Sequence, residues 1–476
     1  LTQVAAIEAG PARSVQDDRA FLGHPRGLGY LAFTEGWISF SFYGMQSLLV
    51  LYMVGQLLKP GHIEHVLGFG AFRAAIGFLY HAHDGQPLAA AIMGLYAALV
   101  YATPIFGGLI ADRLLGRTTT IIIGSVLMTV GHFLMAFDAS FLIALACLIA
   151  GTGCAGTMKA QVGGLYPRGD LRRADAFQVY LLAVNIAVII SPLVCGTLGE
   201  KYAWHLGFGA AGVGMLIGLI VYLYGRRWLP ADPIVRGPDK SSKAPPLTLK
   251  EWRIVGILVL LLPVMSMGAV GNAEIFNAYL VWGKENFQLD FFGHTMPVSW
   301  LLSLDAFISV ATLFGSLMFW RWWASKRREP DEIIKVVIGL FISAGGPLIL
   351  AAAAMQAQGG HKVGLAWGLA FHIVNDIGFA NVYAIGLALF SRAAPPALGA
   401  TVVNAYSLHL FACNLFVAWL AGFLSRMPAV QFWLLHAALV AGAGAIMALM
   451  AVLFHKTLAP EAPADADAAV PAPAPA

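Results

Sequence analysis

The stretch FTEGWISFSFYGMQSLLVLY, Phe33–Tyr52, is apolar enough for the hydrocarbon core of a bilayer and carries one charge, Glu35. An ionisable side chain in such a segment is costly, and by default it marks a pathway, a relay or a paired site. Counted in helical steps from Glu35, Ser39 and Phe42 share its face, and Gln46 follows one turn further on. An acid, small polar groups and an aromatic in one column suit the lining of a cavity better than contact with lipid. The segment is therefore expected to form one wall of a central solute site.

The rest of the chain supports a membrane setting. Of its 476 residues, 59% are hydrophobic and 11% charged, against roughly 25% charged in soluble domains. Apolar runs long enough to cross fall at 28–55, 87–111, 118–137, 140–163, 175–198, 204–225, 253–283, 297–323, 333–356, 363–391, 398–424 and 429–455. The expected fold is all-α, with twelve transmembrane helices in two six-helix halves. With both termini cytoplasmic, only Lys59, Arg73, Lys201, Lys284, Lys362 and Arg426 of the 29 basic residues fall in outer loops. Lys159 lies within a span, and the other basic residues lie inside. The +4 net charge thus follows topology and implies no nucleic-acid partner. Cys147, Cys154, Cys195 and Cys413 sit in apolar runs without paired spacing, so neither a disulfide framework nor a thiolate metal site is expected. No cleavable signal peptide is read in residues 1–26, since they are polar and the first apolar run is too long. No nucleophile–base motif or phosphate loop stands in a credible context, which argues against an enzyme, and no cofactor is implied.

The second span ends in GGLIADRLLGR, residues 107–117, where Asp112, Arg113 and Arg117 mark a tight turn able to carry a gate-side charge network. A G-x-x-x-D-R-x-G loop between spans two and three resembles the major facilitator superfamily. The longer GGLIADRLLG is similar to its proton-dependent oligopeptide transporter branch (POT/PTR). GHFLMA at 131–136 resembles that branch's third span. Lys159, YPRGDLRRADAF and VYLLAVN ending at Asn185 resemble its intramembrane lysine, D-x-R-R loop and F-x-x-x-Y-x-x-x-N run. PLTLKEWR (246–253) and MPVSWLLSL (296–304) are similar to its approaches to spans seven and eight.

The resemblance implies a secondary transporter for small peptides or peptide-like solutes and protons, monomeric in the cell membrane. Its site would be lined by Glu35, Tyr43, Lys159, Asn185, Glu274 and Asp305. Lys159 would face the substrate, with snorkelling to the interface as the plain alternative. Glu274 is its natural ion-pair partner across the halves, although it stands one residue after the family's acid, a turn of about 100° on a helix. The first span departs from the family's E-x-x-E-R-F-x-Y-Y-G: Glu35 remains, Ile38 replaces the second acid, and Ser39 and Gln46 replace two arginines. Without the guanidinium fork, bidentate capture of a carboxylate is lost and Lys159 offers only a point charge. In span ten Phe379 stands where the family has the acid for a peptide's amino terminus, while Asp376, with His372 and Asn375, forms a polar cluster three residues earlier. That cluster either builds a different site or cross-braces helices. Proton-coupling candidates are Glu35, Glu274 and Asp305; His132 and His409 read as satisfied packing histidines. The substrate candidates add Ser39, Phe42, Tyr43, Gln46, Asn185, Phe379 and Asp376. An uncoupled facilitator or exporter, and a non-transporting sensor or scaffold, are the rival readings.

The expected organisation is a cytoplasmic tail (1–26), a first bundle (27–228), a Pro-, Ser- and charge-rich cytoplasmic linker (229–252), a second bundle (253–456) and a disordered Pro/Ala tail (457–476). In the outer loop 57–86, VLGFGAFRAAIGFLY is too short to cross and is expected to lie in the interface. Its HIEH and HAHD read as solvated loop and not as metal ligands.

Overall fold

The computed structural model describes residues 18–167, 170, 172–230, 247–395 and 398–458. The Pro/Ala tail beyond 458, most of the linker and residues 1–17 lie outside them. Among the described residues, twelve helices are long and apolar enough to cross a membrane: Arg26–Leu57, Gly85–Leu115, Arg117–Leu134, Asp138–Gly164, Arg172–Tyr202, Trp204–Trp228, Leu249–Gly268, Trp300–Ala324, Glu332–Gln356, Ala366–Ala393, Thr401–Ser425 and Ala429–His455. They match the twelve expected spans to within a few residues at most ends. Here they are numbered one to twelve.

The packing repeats after six spans. In the first half span one packs on five and six, three on four and six, and two on four. In the second half seven packs on eleven and twelve, nine on ten and twelve, and eight on ten. The halves meet through two against eleven and five against eight, pairs that exchange under the same six-span shift. This is the relation of a parallel repeat about an axis along the bundle.

Small residues set the closest approaches, as expected where lipid tails give helices no hydrophobic drive to associate. A Cβ on Gly107 of span two would meet the Gly153 carbonyl oxygen of span four at 2.0 Å. One on Gly378 of span ten would stand 2.3 Å from the Ser343 nitrogen of span nine. Across the halves, one on Gly94 of span two would lie 2.6 Å from the Ala418 Cα of span eleven.

Three spans are interrupted. Span four is helical over Phe141–Ala155 and again over Met158–Gly164, and the eleventh breaks at Ser407 between Gly399–Tyr406 and Leu408–Leu420. The seventh is the most broken. A capping box of Thr248 and Glu251 starts Leu249–Gly268, after which come Val270–Ala273, a 3₁₀ turn Glu274–Phe276 and Ala278–Asn286. Glycines 268 and 271 weaken the helix there, and Asn277 leaves helical geometry altogether (φ −126°, ψ −108°). The single run read at 253–283 is therefore a hinge-like sequence of short pieces. Irregular backbone of this kind is tolerated at membrane depth where it is enclosed by protein or lines a cavity.

In the loop 57–86, Phe69–Tyr80 forms a helix with Phe78 and Leu79 exposed. Of its histidines, His62 has Nδ1 2.6 Å from Asp138 Oδ2, and the backbone carbonyl of His83 accepts from Arg73.

Candidate functional site: a cavity between the halves

Between the two halves lies a cavity of about 430 Å³. The first half supplies Tyr43 and Gln46 of span one, Lys159 of span four and Asn185 of span five. The second half supplies Asp305 of span eight and Phe379 of span ten. Six residues singled out from the sequence are thus brought to one wall-to-wall space. Its size falls in the usual range of about 300–1,000 Å³ for small-ligand sites.

One end is sealed. Glu200 accepts from the N–H groups of Ser299 (2.9 Å) and Val298 (3.2 Å), placing a carboxylate at the start of span eight, where the exposed N–H groups favour an anion. Trp300 donates to the Thr197 hydroxyl (2.9 Å), Gln86 to the Ala421 carbonyl (2.9 Å) and Arg426 to the His81 carbonyl (2.6 Å). Deeper down, Asn277 at the break in span seven donates to the Ala90 carbonyl of span two (3.1 Å). All these contacts lie at or near the end of the bundle that carries loop 57–86. Toward the linker end the wall residues Leu313, Tyr101 and Tyr383 are 50%, 40% and 38% exposed. The cavity is thus sealed at the end that carries loop 57–86, and its exposed wall residues lie toward the linker end.

Lys159 lies on the short helix after the break in span four and is exposed to the cavity. Among the described residues no ion pair or hydrogen bond holds its ammonium. Glu35, half-buried on span one, is within its electrostatic reach. The Tyr180 hydroxyl approaches the same carboxylate from span five, without meeting hydrogen-bond geometry.

Glu274 is placed differently from expectation. It is buried (1% exposed); its Oε1 is 3.0 Å from His436 Nε2 on span twelve, and its Oε2 accepts from the Ala278 N–H. Both partners belong to its own half, and it does not pair with Lys159 in this structure. The face of span one that lines the cavity runs through Tyr43 and Gln46, three residues apart. Phe42, about 100° round the helix, packs edge-on against Tyr43, and Ser39 is buried in helix packing. Neither lines the cavity, and Glu35 also lies outside its wall.

Asp305 connects the cavity to the HIVND cluster. Its Oδ1 is 2.8 Å from His372 Nδ1, and His372 Nε2 is 3.0 Å from the Tyr279 hydroxyl of span seven. Asp376 lies behind, 1% exposed, and accepts from Asn375 at 3.2 Å. Asp376 is not a wall residue, so a direct substrate role does not follow from its position.

Phe379 stacks on Tyr383 (5.6 Å, 17°), and Tyr43 meets Phe276 across the halves (6.3 Å). Aromatic surface thus stands where the family has an acid. His409 donates through Nδ1–H to the Tyr406 carbonyl, 2.5 Å away, as a packing histidine should. His132 differs: it is fully buried with neither ring nitrogen bonded. The turn residues Asp112 and Arg117 form an exposed 3.3 Å pair and Arg113 is exposed; among the described residues no wider ion-pair network joins them. Nearby, Asp170 takes hydrogen bonds from Arg172 (Nη2 at 2.8 Å), which hold its carboxyl below the usual range.

Sequence reasoning missed His436, Asn277, Asn272 and Tyr101. His436 had a usable signal, an ionisable ring within an otherwise apolar span.

The POT family pattern matches residues 118–245. A di-/tripeptide transporter of Lactococcus lactis subsp. cremoris is 33% identical over 338 residues, covering 69% of this chain and 59% of that protein. The chain is a POT-family homologue. The uncharacterized transporter YclF of Bacillus subtilis (strain 168) is 29% identical over 471 residues, covering 87% of this chain and 91% of that one. A solved structure of a mutant peptide transporter POT in complex with alafosfalin superimposes with a TM-score of 0.81 at 24% identity, covering 93% and 98% of the two chains. With its twelve candidate spans, the chain shares the multi-pass fold of those POT transporters.

Proposed function

We propose that the protein imports small peptide-like solutes, driven by protons, by alternating access of the central cavity. The observation that carries this reading is an open, unpaired ammonium, Lys159, in a cavity sealed at the opposite end. The linker end is read as cytoplasmic, with both termini inside the cell membrane and the protein a monomer; the positive-inside asymmetry supports that orientation. The structure then corresponds to an inward-open state. Rocking the halves about the site would break the contacts of Glu200, Asn277 and Gly94 and expose the cavity outside.

The wall chemistry narrows the solute. Lys159 offers one point charge for a carboxylate. Phe379 and Tyr383 offer aromatic surface where an amino terminus would need an acid, and burying an unmatched charge costs several kcal/mol. The favoured solute has a free carboxylate, an acylated or otherwise blocked amino end and an apolar side chain. The di- and tripeptides of the Lactococcus lactis transporter fit this class once the amino terminus is discounted. Coupling falls to Glu35 or Asp305, with Glu274 enclosed behind them.

Competition binding on purified protein tests the solute class. N-acetylated dipeptides are expected to bind more tightly than the same dipeptides with free ends, and C-amidated forms least tightly. Lys159→Ala should remove the preference for a free carboxylate. Clearly tighter binding of the free dipeptides would reject the reading.

A further inference from the structure

We propose that Asp305, His372 and Asp376 form a proton-binding site that opens on the cavity through Asp305 and holds an exchangeable proton of the transport cycle. The inference rests on the proton-coupled reading above for its role in transport, but not for its existence as a site.

The geometry comes first. The Asp305 side chain is 13% exposed and touches the cavity; His372 is fully enclosed behind it, and Asp376 lies deeper still. One ligand atom from each of the three stands within 4.8 Å of the others. Asp376 Oδ2 is buried without any hydrogen-bond partner. Among the described residues no lysine or arginine pairs with either carboxylate. The groups facing the cluster are Tyr279 from span seven, Ser343 from span nine, which donates to Asn375, and Tyr43, whose ring stands across the cavity from Asp305. All are neutral donors or acceptors. Two carboxylates so placed, with no cation and one bare oxygen, are strongly unfavourable unless a proton is shared among them.

Hydrogen-bond bookkeeping agrees. Tyr279 can donate to His372 Nε2 while His372 Nδ1–H donates to Asp305, so those pairs need no added proton, and the carboxyl proton is assigned to the bare Oδ2 of Asp376. The spacing favours a proton over a metal. Atoms bound tetrahedrally to one zinc at about 2.0–2.1 Å stand roughly 3.3 Å apart. The 2.8 Å between His372 Nδ1 and Asp305 Oδ1 is instead an ordinary charge-assisted hydrogen-bond length.

The site is also wired to the seal. Tyr279 lies two residues beyond Asn277, whose amide holds the broken span seven to the Ala90 carbonyl of span two. Through the Tyr279 hydroxyl, His372 joins the cluster to the piece of span seven that closes the outer end.

Infrared difference spectroscopy of the purified full-length protein across a pH step tests the site without any solute. The expected result is a protonated-carboxyl band that disappears in Asp376→Asn, shifts in Asp305→Asn and His372→Gln, and returns at a shifted position in Asp376→Glu. Absence of the band from wild-type protein, or its persistence unchanged in Asp376→Asn, would overturn the site. Thermal stabilisation by zinc that vanishes in His372→Gln would overturn the proton in favour of a metal. In proteoliposomes, Asp376→Asn should lose uphill uptake and keep solute exchange; equal uphill uptake would overturn the role in coupling. If wild-type protein gives the band but no gradient-driven uptake of any solute, the site stands and the proton-coupled reading fails.

Discussion

The contact between His436 and Glu274 must carry a proton. His436 Nδ1 lies 2.7 Å from the Phe432 carbonyl, which can only accept, so the ring hydrogen is on Nδ1. Nε2, 3.0 Å from Glu274 Oε1, then either carries a second proton or receives one from the acid. In both cases the buried pair is neutral overall, which explains how it tolerates burial at 0% and 1% side-chain exposure.

The two partners should therefore respond unequally to mutation. Glu274→Gln keeps a donor toward Nε2 and is expected to leave thermal stability nearly unchanged. His436→Ala strands a buried acid, a loss of about 3–5 kcal/mol if the acid stays charged. Melting curves of the purified variants should show a clear fall for His436→Ala alone. Equal falls would mean that the pair is held by packing.

Gly94 tests the outer seal by volume. An added Cβ would stand 2.6 Å from backbone atoms of Ala418, which have no side-chain rotamer to yield. Gly94→Ala is expected to push spans two and eleven apart at the outer end and favour the outward-open state. Spin-label distances between those spans should lengthen. Gly378→Ala, inside the second half at 2.3 Å from the Ser343 nitrogen, should instead lower the melting temperature without shifting that distance distribution.

The amide of Asn277 supplies one interhalf hydrogen bond at the broken part of span seven. Asn277→Ala removes about 0.5–1.5 kcal/mol, enough to raise the outward-open population by up to roughly tenfold. Accessibility of a cysteine introduced in the cavity wall to an outside, membrane-impermeant reagent would report it. Unchanged accessibility would place the seal in Glu200 and the glycine contacts alone.

Much of the fold was legible in the sequence because long apolar runs leave a chain few choices in a bilayer, and Asp112–Arg117 and Lys159 fell at recognisable places. The second half was harder to read. Whether Glu274 faced Lys159 depended on a one-residue phase in a helix that breaks at Asn277, and periodicity fails where the helix does. Asp305 was visible as an acid in span eight, but its bond to His372 joins residues 67 positions apart, and nothing local encodes that pairing. Of the span-one residues named for the cavity, Tyr43 and Gln46 line its wall, while Glu35, Ser39 and Phe42 do not.

Proton-driven import through the cavity containing Lys159 requires the solute to accumulate against its own gradient. It is tested most directly by the uptake of an N-acetylated dipeptide into proteoliposomes with the outside made acidic. Accumulation inside above the external concentration is predicted while the gradient lasts, collapsing with a protonophore and absent in Lys159→Ala. Uptake that levels off at equal concentrations, with or without the gradient, would contradict the account.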